Sequence, residues 1–238
     1  MIYQLILLQL SAHLLADFVF QPQKWTDRKS EKIFSAHHIL HTVVVFVTSF
    51  IFSLDFGFWK AALIIALIHL LIDSIKSYML LKYYNSTMSR YLFFADQTIH
   101  IVILIIVSIA YYHFCEVNFM AVLTLKNTSV IAGFILCAKP TNVFIKNIFT
   151  IYDIAIPPIS DTENSDRSLP NAGKLIGVME RFMTLALILS SQYAAVGLII
   201  AAKSILRFSD TQKNEYVLVG TLLSFGIAVL TGILINQI

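Results

Sequence analysis

Hydrophobic residues run along the chain in blocks of membrane-span length, parted by short polar stretches. A hydrocarbon core of about 30 Å takes roughly 20 residues of helix. Ile2–Phe20, Phe34–Leu54, Phe58–Ile75, Leu92–Phe114 and Leu175–Ala202 meet that length, and Val217–Ile238 makes a sixth block. Val117–Ala138 is interrupted at its middle by Lys126, Asn127 and Thr128, and reads either as an interfacial helix followed by a half-span or as a full span. Lys139–Gly173, with Pro140, Pro157-Pro158 and the acidic run from Asp161 to Asp166, reads as a linker. The pattern predicts an all-α, polytopic membrane helical bundle of about six spans. A four-span module covers 1–116, an interfacial segment and linker 117–173, and a two-span module 174–238.

Composition narrows the class. Of 238 residues, 58% are hydrophobic and 13% charged, with a mean hydropathy of +0.77. Soluble domains carry about a quarter charged residues. A soluble enzyme, a disordered chain and a nucleic-acid binder are therefore excluded. Cys115 and Cys137 supply neither a disulfide framework nor a Cys-based metal motif. Met1 opens straight into an apolar block with no basic stretch before it, so the first block is expected to be a retained span.

Charge sets sidedness. Lysine and arginine gather in three loops: Lys24, Arg28, Lys29 and Lys32; Lys76, Lys82 and Arg90; Lys203, Arg207 and Lys213. The positive-inside rule puts all three in the cytoplasm and both termini outside. Trp25, Trp59, Tyr83, Tyr84, Tyr91, Tyr111 and Tyr112 lie near span ends, as an aromatic belt would place them.

Ionisable residues within spans are costly and mark function. Each of the first four spans carries an i, i+4 pair: His13/Asp17, His37/His41, His69/Asp73 and Asp96/His100. Residues four apart stand on one helix face. With the first loop cytoplasmic, all eight fall within roughly 15 Å of the same membrane face, whereas chance intrusions would scatter in depth. Imidazole with carboxylate suits zinc, and also manganese or iron, and eight donors suit one or two ions. His38 is about 100° around the helix from His37, so spacing favours His37 as the ligand and leaves His38 to support it or touch substrate. Lys76 reads either as a holder of an anionic substrate or as an interfacial anchor. Gln21 and Gln97 read as groups that orient ligands or pack helix ends, and His113 stands apart.

At these residues the chain resembles an uncharacterised family of bacterial multi-pass membrane proteins, domain of unknown function 3307. The resemblance rests on His13-x3-Asp17-x3-Gln21, His37-His38-x2-His41, His69-x3-Asp73-x2-Lys76 and Asp96-Gln97-x2-His100, in order, over about residues 3–110. Gly177-x2-Glu180-Arg181, Ala202-Lys203-Ser204-x2-Arg207-Phe208 and Glu215-Tyr216-x3-Gly220-Thr221 extend it toward the C-terminus. The family implies the architecture and no activity. A looser similarity links His-His-x2-His and His-x3-Asp to inner-membrane metal-dependent hydrolases, without the glycines typical of those enzymes.

On one continuous fifth helix Glu180 and Lys203 stand over 20 residues, hence about 30 Å, apart. They are then not one cluster unless that helix breaks. Lys203 and Arg207 read as a topology determinant or as a site for anionic lipid or substrate. Gly220-Thr221 and Gly226 suggest close helix packing.

The expectation is a membrane-embedded metal-dependent hydrolase acting at the cytoplasmic side on a lipid-linked or amphipathic substrate. His13, Asp17, His37, His41, His69, Asp73, Asp96 and His100 would be ligands, with Asp73, Asp96, His38 and Lys76 in catalysis. The alternatives are an ion or proton transporter and a scaffold locked by a structural metal or a His–Asp network. The lipid bilayer is the expected partner, homo-oligomers stay open, and no nucleic acid is expected.

Overall fold

The computed structural model describes residues 1–30, 32–83, 86–117, 123–154, 172–207 and 214–238, and the regular elements among them are helical throughout. The chain divides into two compact units, Met1–Ile135 and Leu136–Ile238.

In the first unit α1 (Ile2–Leu14) runs on into a π-helical turn, Leu15–Val19. It is followed by the short α2 (Gln23–Ser30), then α3 (Ala36–Ser53), α4 (Trp59–Lys82), α5 (Ser86–Phe114) and α6 (Leu125–Cys137), whose last two residues belong to the second unit. Helices α1, α3, α4 and α5 close into a ring, each packed on the next and α5 back on α1. The faces are sorted as in a lipid-solvated bundle. On α4 the buried positions are Ala61, Ala62, Ile65, Ala66, His69, Asp73 and Ser77, while Leu63, Ile64, Leu67, Leu71 and Ile75 face outward. Small and polar side chains inside, with large aliphatic ones outside, suit a surrounding of hydrocarbon and close helix approach. Leu5, Val45, Phe58 and Tyr111 fill the apolar part of the core.

Local chemistry explains the ends. Ser35 opens α3 with a capping box in which His38 takes the place usually held by Glu or Gln, its Nδ1 accepting from Ser35 N–H at 3.2 Å. Asp55 caps the turn before α4 by accepting from Gly57 N–H at 2.8 Å. Its other oxygen accepts from the Tyr111 hydroxyl at 2.9 Å.

The second unit holds α7 (Lys139–Ile151), α8 (Ala172–Leu189), α9 (Tyr193–Arg207) and α10 (Asn214–Asn236), with α10 packed on both α8 and α7. Among the described residues, five helices are long and apolar enough to cross a membrane: Ile2–Val19, Ala36–Ser53, Phe56–Lys82, Tyr91–Phe114 and Leu218–Asn236. The bent pair Leu125–Cys137 and Lys139–Ile151 makes a sixth if it counts as one broken span.

Two sequence expectations are revised. The stretch expected to be linker from Lys139 begins as helix α7, because Pro140 sits where a first helical turn tolerates it and Thr141 Oγ1 donates to Leu136 O at 2.6 Å. Its acidic run, 161–166, lies outside the described residues. The block Leu175–Ala202 is not one helix. Ser191 takes the left-handed conformation (φ 58°). Gln192 N–H bonds Leu187 O at 2.8 Å and Ser191 N–H bonds Ile188 O at 2.9 Å, which together form a Schellman motif that ends α8. The break brings Lys203 Nζ to 2.5 Å from Glu180 Oε2, so those residues do meet.

Candidate metal centre

Six elements of the first unit, counting the π turn, deliver charged or metal-binding side chains to one interior location. His13 comes from α1 and Asp17 from the π turn after it, where Phe20 N–H bonds Leu15 O at 2.8 Å. π turns of this kind recur at functional sites. His41 comes from α3, His69 and Asp73 from α4, and Asp96, Gln97 and His100 from α5. Helix α2 adds Lys29. His13, His41, His69, Asp73, Asp96, His100 and Lys29 are all buried.

His41 Nε2 and His69 Nε2 face each other at 3.0 Å. Asp17 Oδ1 stands 3.3 Å from the first and 3.5 Å from the second. Asp73 Oδ2 is 4.0 Å and 3.8 Å from the same two atoms. Around a tetrahedral zinc with bonds of 2.0–2.1 Å, ligand atoms stand about 3.3–3.4 Å apart. His41 Nε2, His69 Nε2 and Asp17 Oδ1 thus stand within a few tenths of an ångström of that spacing, and Asp73 Oδ2 stands somewhat wider of both imidazoles. Asp17 Oδ1 is buried, yet among the described residues it accepts no hydrogen bond. Such an unsatisfied buried atom is what a ligand position leaves in a folded chain.

A second grouping abuts the first. Asp73, Asp96 and His100 present ligand atoms within 4.8 Å of one another. The His100 ring stacks on His69 with centroids 3.9 Å apart, and among the described residues neither of its nitrogens has a hydrogen-bond partner. Asp96 Oδ1 is likewise buried without one. Asp73 belongs to both groupings and so stands where a bridging carboxylate would. His13 and Asp17 form a third grouping with His69, Asp17 Oδ1 lying 3.7 Å from His13 Nδ1.

Supporting bonds fix the donors. Gln97 Nε2 donates to Asp17 Oδ2 at 3.1 Å and to Asp96 Oδ2 at 3.3 Å, while its Oε1 lies 3.3 Å from His13 Nε2. One amide thereby ties α5 to the π turn and sets the His13 ring, as outer partners of metal ligands do. Lys76 Nζ donates to Asp96 Oδ2 at 2.8 Å, and Lys29 Nζ pairs with Asp73 Oδ2. The Gln21 amide spans from Asp17 O (3.2 Å) to Lys29 Nζ (3.0 Å).

The structure therefore assembles His13, Asp17, His41, His69, Asp73, Asp96, His100 and Lys76. It leaves His37 aside, with its ring edge-on to Trp25. The i, i+4 spacing from His41 had favoured His37, but the buried stripe of α3 runs His38, His41, Val45, Thr48, which follows the i, i+3 alternative. His38 is buried but committed, with Nδ1 2.9 Å from Ser35 Oγ and Nε2 3.1 Å from Ser77 Oγ. His113 is exposed, far along α5 from the cluster. Lys203, also stacked over Phe225, is engaged by Glu180, and the Arg207 side chain lies outside the described residues.

Lys29 is the residue that sequence reasoning missed, having been counted among loop charges. The signal was present: Gln21, Trp25 and Lys29 recur every fourth residue, and on α2 Trp25 and Lys29 are shielded while Lys24, Thr26, Asp27 and Arg28 are exposed.

Residues 5–130 match the model of a family described as "Protein of unknown function (DUF3307)". No curated protein and no solved structure matches the chain.

Proposed function

We propose that this chain, which belongs to that DUF3307 family of proteins of unknown function, is a membrane-embedded, metal-dependent hydrolase whose site opens to the cytoplasm of a bacterial inner membrane. The observation that carries the reading is the convergence of His41 Nε2, His69 Nε2 and Asp17 Oδ1 at separations of 3.0–3.5 Å, with Asp73 Oδ2 within 4.0 Å of both imidazoles and buried ligand atoms left unsatisfied around them. These four would hold one ion, zinc by donor chemistry, and Asp73, Asp96 and His100 a second. A bound divalent ion supplies water with a lowered pKa and polarises a carbonyl or phosphoryl oxygen. The chain's own part is to orient the donors through Gln97, to keep Asp96 beside the reacting centre as a proton acceptor, and to exclude bulk water by burial.

The setting supports an amphipathic substrate. An apolar groove of about 470 Å³ is lined by Phe20, Val43, Val44, Val47, Thr48, Ile51 and Phe52. Its lining starts at Phe20, three residues after Asp17, and at Val43, two residues after His41, so it would offer a substrate's hydrocarbon chain a place near the site.

The test is elemental analysis of detergent-purified protein, prepared without a polyhistidine tag, beside a His41→Ala/Asp73→Ala variant. One or two equivalents of zinc, manganese or iron in the parent, lost in a variant with unchanged helical circular dichroism, is the expected result. A parent that takes up no transition metal on reconstitution overturns the reading.

One observation favours a proton or ion pathway instead. Polar side chains continue along the interior of the first unit beyond the cluster: Gln9 donates to Ser49 O at 2.9 Å and accepts from Ser49 Oγ at 2.6 Å, and Ser108 is buried. Proteoliposome flux abolished by Gln9→Leu, in protein free of metal, would favour that pathway.

A further inference from the structure

Among neutral esters, amides and phosphoesters, the charges around the centre select one class. We infer that the site takes a phosphoryl group, anchored by Lys29 and Lys76; the inference rests on the metal reading above.

Three carboxylates, Asp17, Asp73 and Asp96, face two ammonium groups, and histidines that ligate a metal are neutral. One divalent ion brings the centre from a net charge of −1 to +1, and two ions bring it to +3. A buried net charge in low-dielectric surroundings is costly unless an opposite charge accompanies it. The reacting group of a carboxylic ester or an amide is neutral and leaves that excess standing. A phosphodiester carries about one negative charge and a phosphomonoester nearly two at neutral pH, so each offsets it.

The lysines stand where a phosphoryl group would need them. Each is paired with a carboxylate that also belongs to a metal grouping, Lys29 with Asp73 and Lys76 with Asp96. Were Asp73 Oδ2 to turn to metal, the Lys29 ammonium would need a new anionic partner, which a phosphoryl oxygen supplies; Lys76 bonds Asp96 Oδ2, and an ammonium carries three donors, so it can meet a phosphoryl oxygen while keeping that bond. Lys29 comes from α2 and Lys76 from α4, so the two approach the centre from different elements. The Lys76 side chain is 28% exposed against 9% for Lys29, which gives the centre an access side and an inner anchor. Lysine suits this role as a compact, strongly charged donor for phosphate. The basic residue on α2 thus acquires a chemical task beyond topology.

The experiment uses the full chain in detergent micelles, loaded with zinc, with the zinc content measured in the same samples. Inorganic phosphate is titrated calorimetrically, and separately phosphatidic acid in mixed micelles, with phosphatidylcholine micelles as the uncharged-headgroup control. Phosphate binding that depends on zinc and weakens at least 10-fold in Lys76→Gln, and further in Lys29→Gln/Lys76→Gln, at unchanged zinc content, is the expected result. Tighter binding of phosphatidic acid than of inorganic phosphate assigns the phosphoryl group to a lipid, and the reverse order to a soluble ester. Unchanged phosphate affinity in the double variant with zinc retained overturns the inference and leaves the metal reading standing. A parent that binds no zinc overturns both. If the double variant does not fold, Lys76→Gln alone decides, since that partly exposed side chain is absent from the bundle's packed core.

Discussion

The two units both bury charge, and they do so in opposite ways. In the second, Arg181 is 1% exposed. Its Nε donates to Cys137 O at 2.6 Å, Nη2 to Ala138 O at 3.1 Å and Asn142 Oδ1 at 2.7 Å, and Nη1 to Ser224 Oγ at 3.0 Å. Two of these acceptors are carbonyls that a helix leaves open at its C-terminal end, where a cation is also favoured by the helix dipole. In the first unit the buried ionisable groups converge on one another, and Asp17 Oδ1, Asp96 Oδ1 and both nitrogens of His100 are left without hydrogen bonds among the described residues. Burial of charge therefore does not by itself mark a functional site. A completed set of bonds marks a structural lock, and an incomplete, convergent set marks a place for something else.

The largest expected effect lies on the lock. Arg181→Ala removes the donor from four acceptors, two of them in fully buried bonds, and at about 1 kcal/mol for each it should cost about 3–5 kcal/mol. Thermal unfolding in detergent measures this, and zinc per chain should be unchanged in the protein that stays folded. A parallel loss of metal would break the contrast, because the lock would then be supporting the centre. Next in size is Gln97→Leu, which removes the amide that ties Asp17 and Asp96 to His13. Metal affinity should fall 10- to 100-fold, with helical content preserved, as measured by competition with a chromophoric chelator. An unaltered affinity would mean that Gln97 only packs a helix end.

Smaller again is a packing test in the second unit. A Cβ at Gly232 would stand 2.5 Å from Ile188 Cγ2 and 2.8 Å from Ile188 Cβ. The β-branched isoleucine has little freedom to withdraw, so Gly232→Ala should cost about 1–3 kcal/mol. Gly226, where an added Cβ meets nothing within 4 Å, is the control, and Gly226→Ala should be neutral or slightly stabilising. Equal effects at the two glycines would show that α8 and α10 do not approach as described.

The sequence made the centre legible because its signal was periodic. Pairs of His and Asp four apart, in blocks otherwise made of Leu, Ile, Val and Phe, specify a shared face and a shared depth. Seven of the eight expected ligands accordingly gather. His37 fails because i, i+3 and i, i+4 both keep two residues on one face, and only the buried stripe of α3 chooses between His37 and His38. Lys29 was hidden by the positive-inside rule, which accounts for a loop lysine without requiring it to touch anything. Helix ends were the least legible feature. Hydropathy runs unbroken enough through 175–202 to suggest one span, whereas the end of α8 depends on the backbone of Ser191, and nothing in Ser190-Ser191-Gln192 announces a left-handed residue as a glycine would.

That turn also supplies the smallest effect and the one whose sign is most informative. Ser191 sits at φ 58°, where a side chain costs about 1 kcal/mol that glycine avoids. If α8 and α9 are a hairpin in solution, Ser191→Gly relieves this cost and should stabilise the protein by about 0.5–1 kcal/mol, a small rise in Tm. If 175–202 instead runs as one continuous helix, the same substitution places glycine in a helix interior and should destabilise by about 0.5 kcal/mol. The pairing of Lys203 with Glu180 must agree with that sign. In the hairpin, Lys203→Met strands a half-buried glutamate and Glu180→Gln/Lys203→Met restores stability, whereas in a continuous helix the two substitutions act independently. A positive sign with coupling places the polar residues of α8 and α9 at one level. A negative sign without coupling would restore a sixth span and take away the architecture on which the contrast between the two units depends.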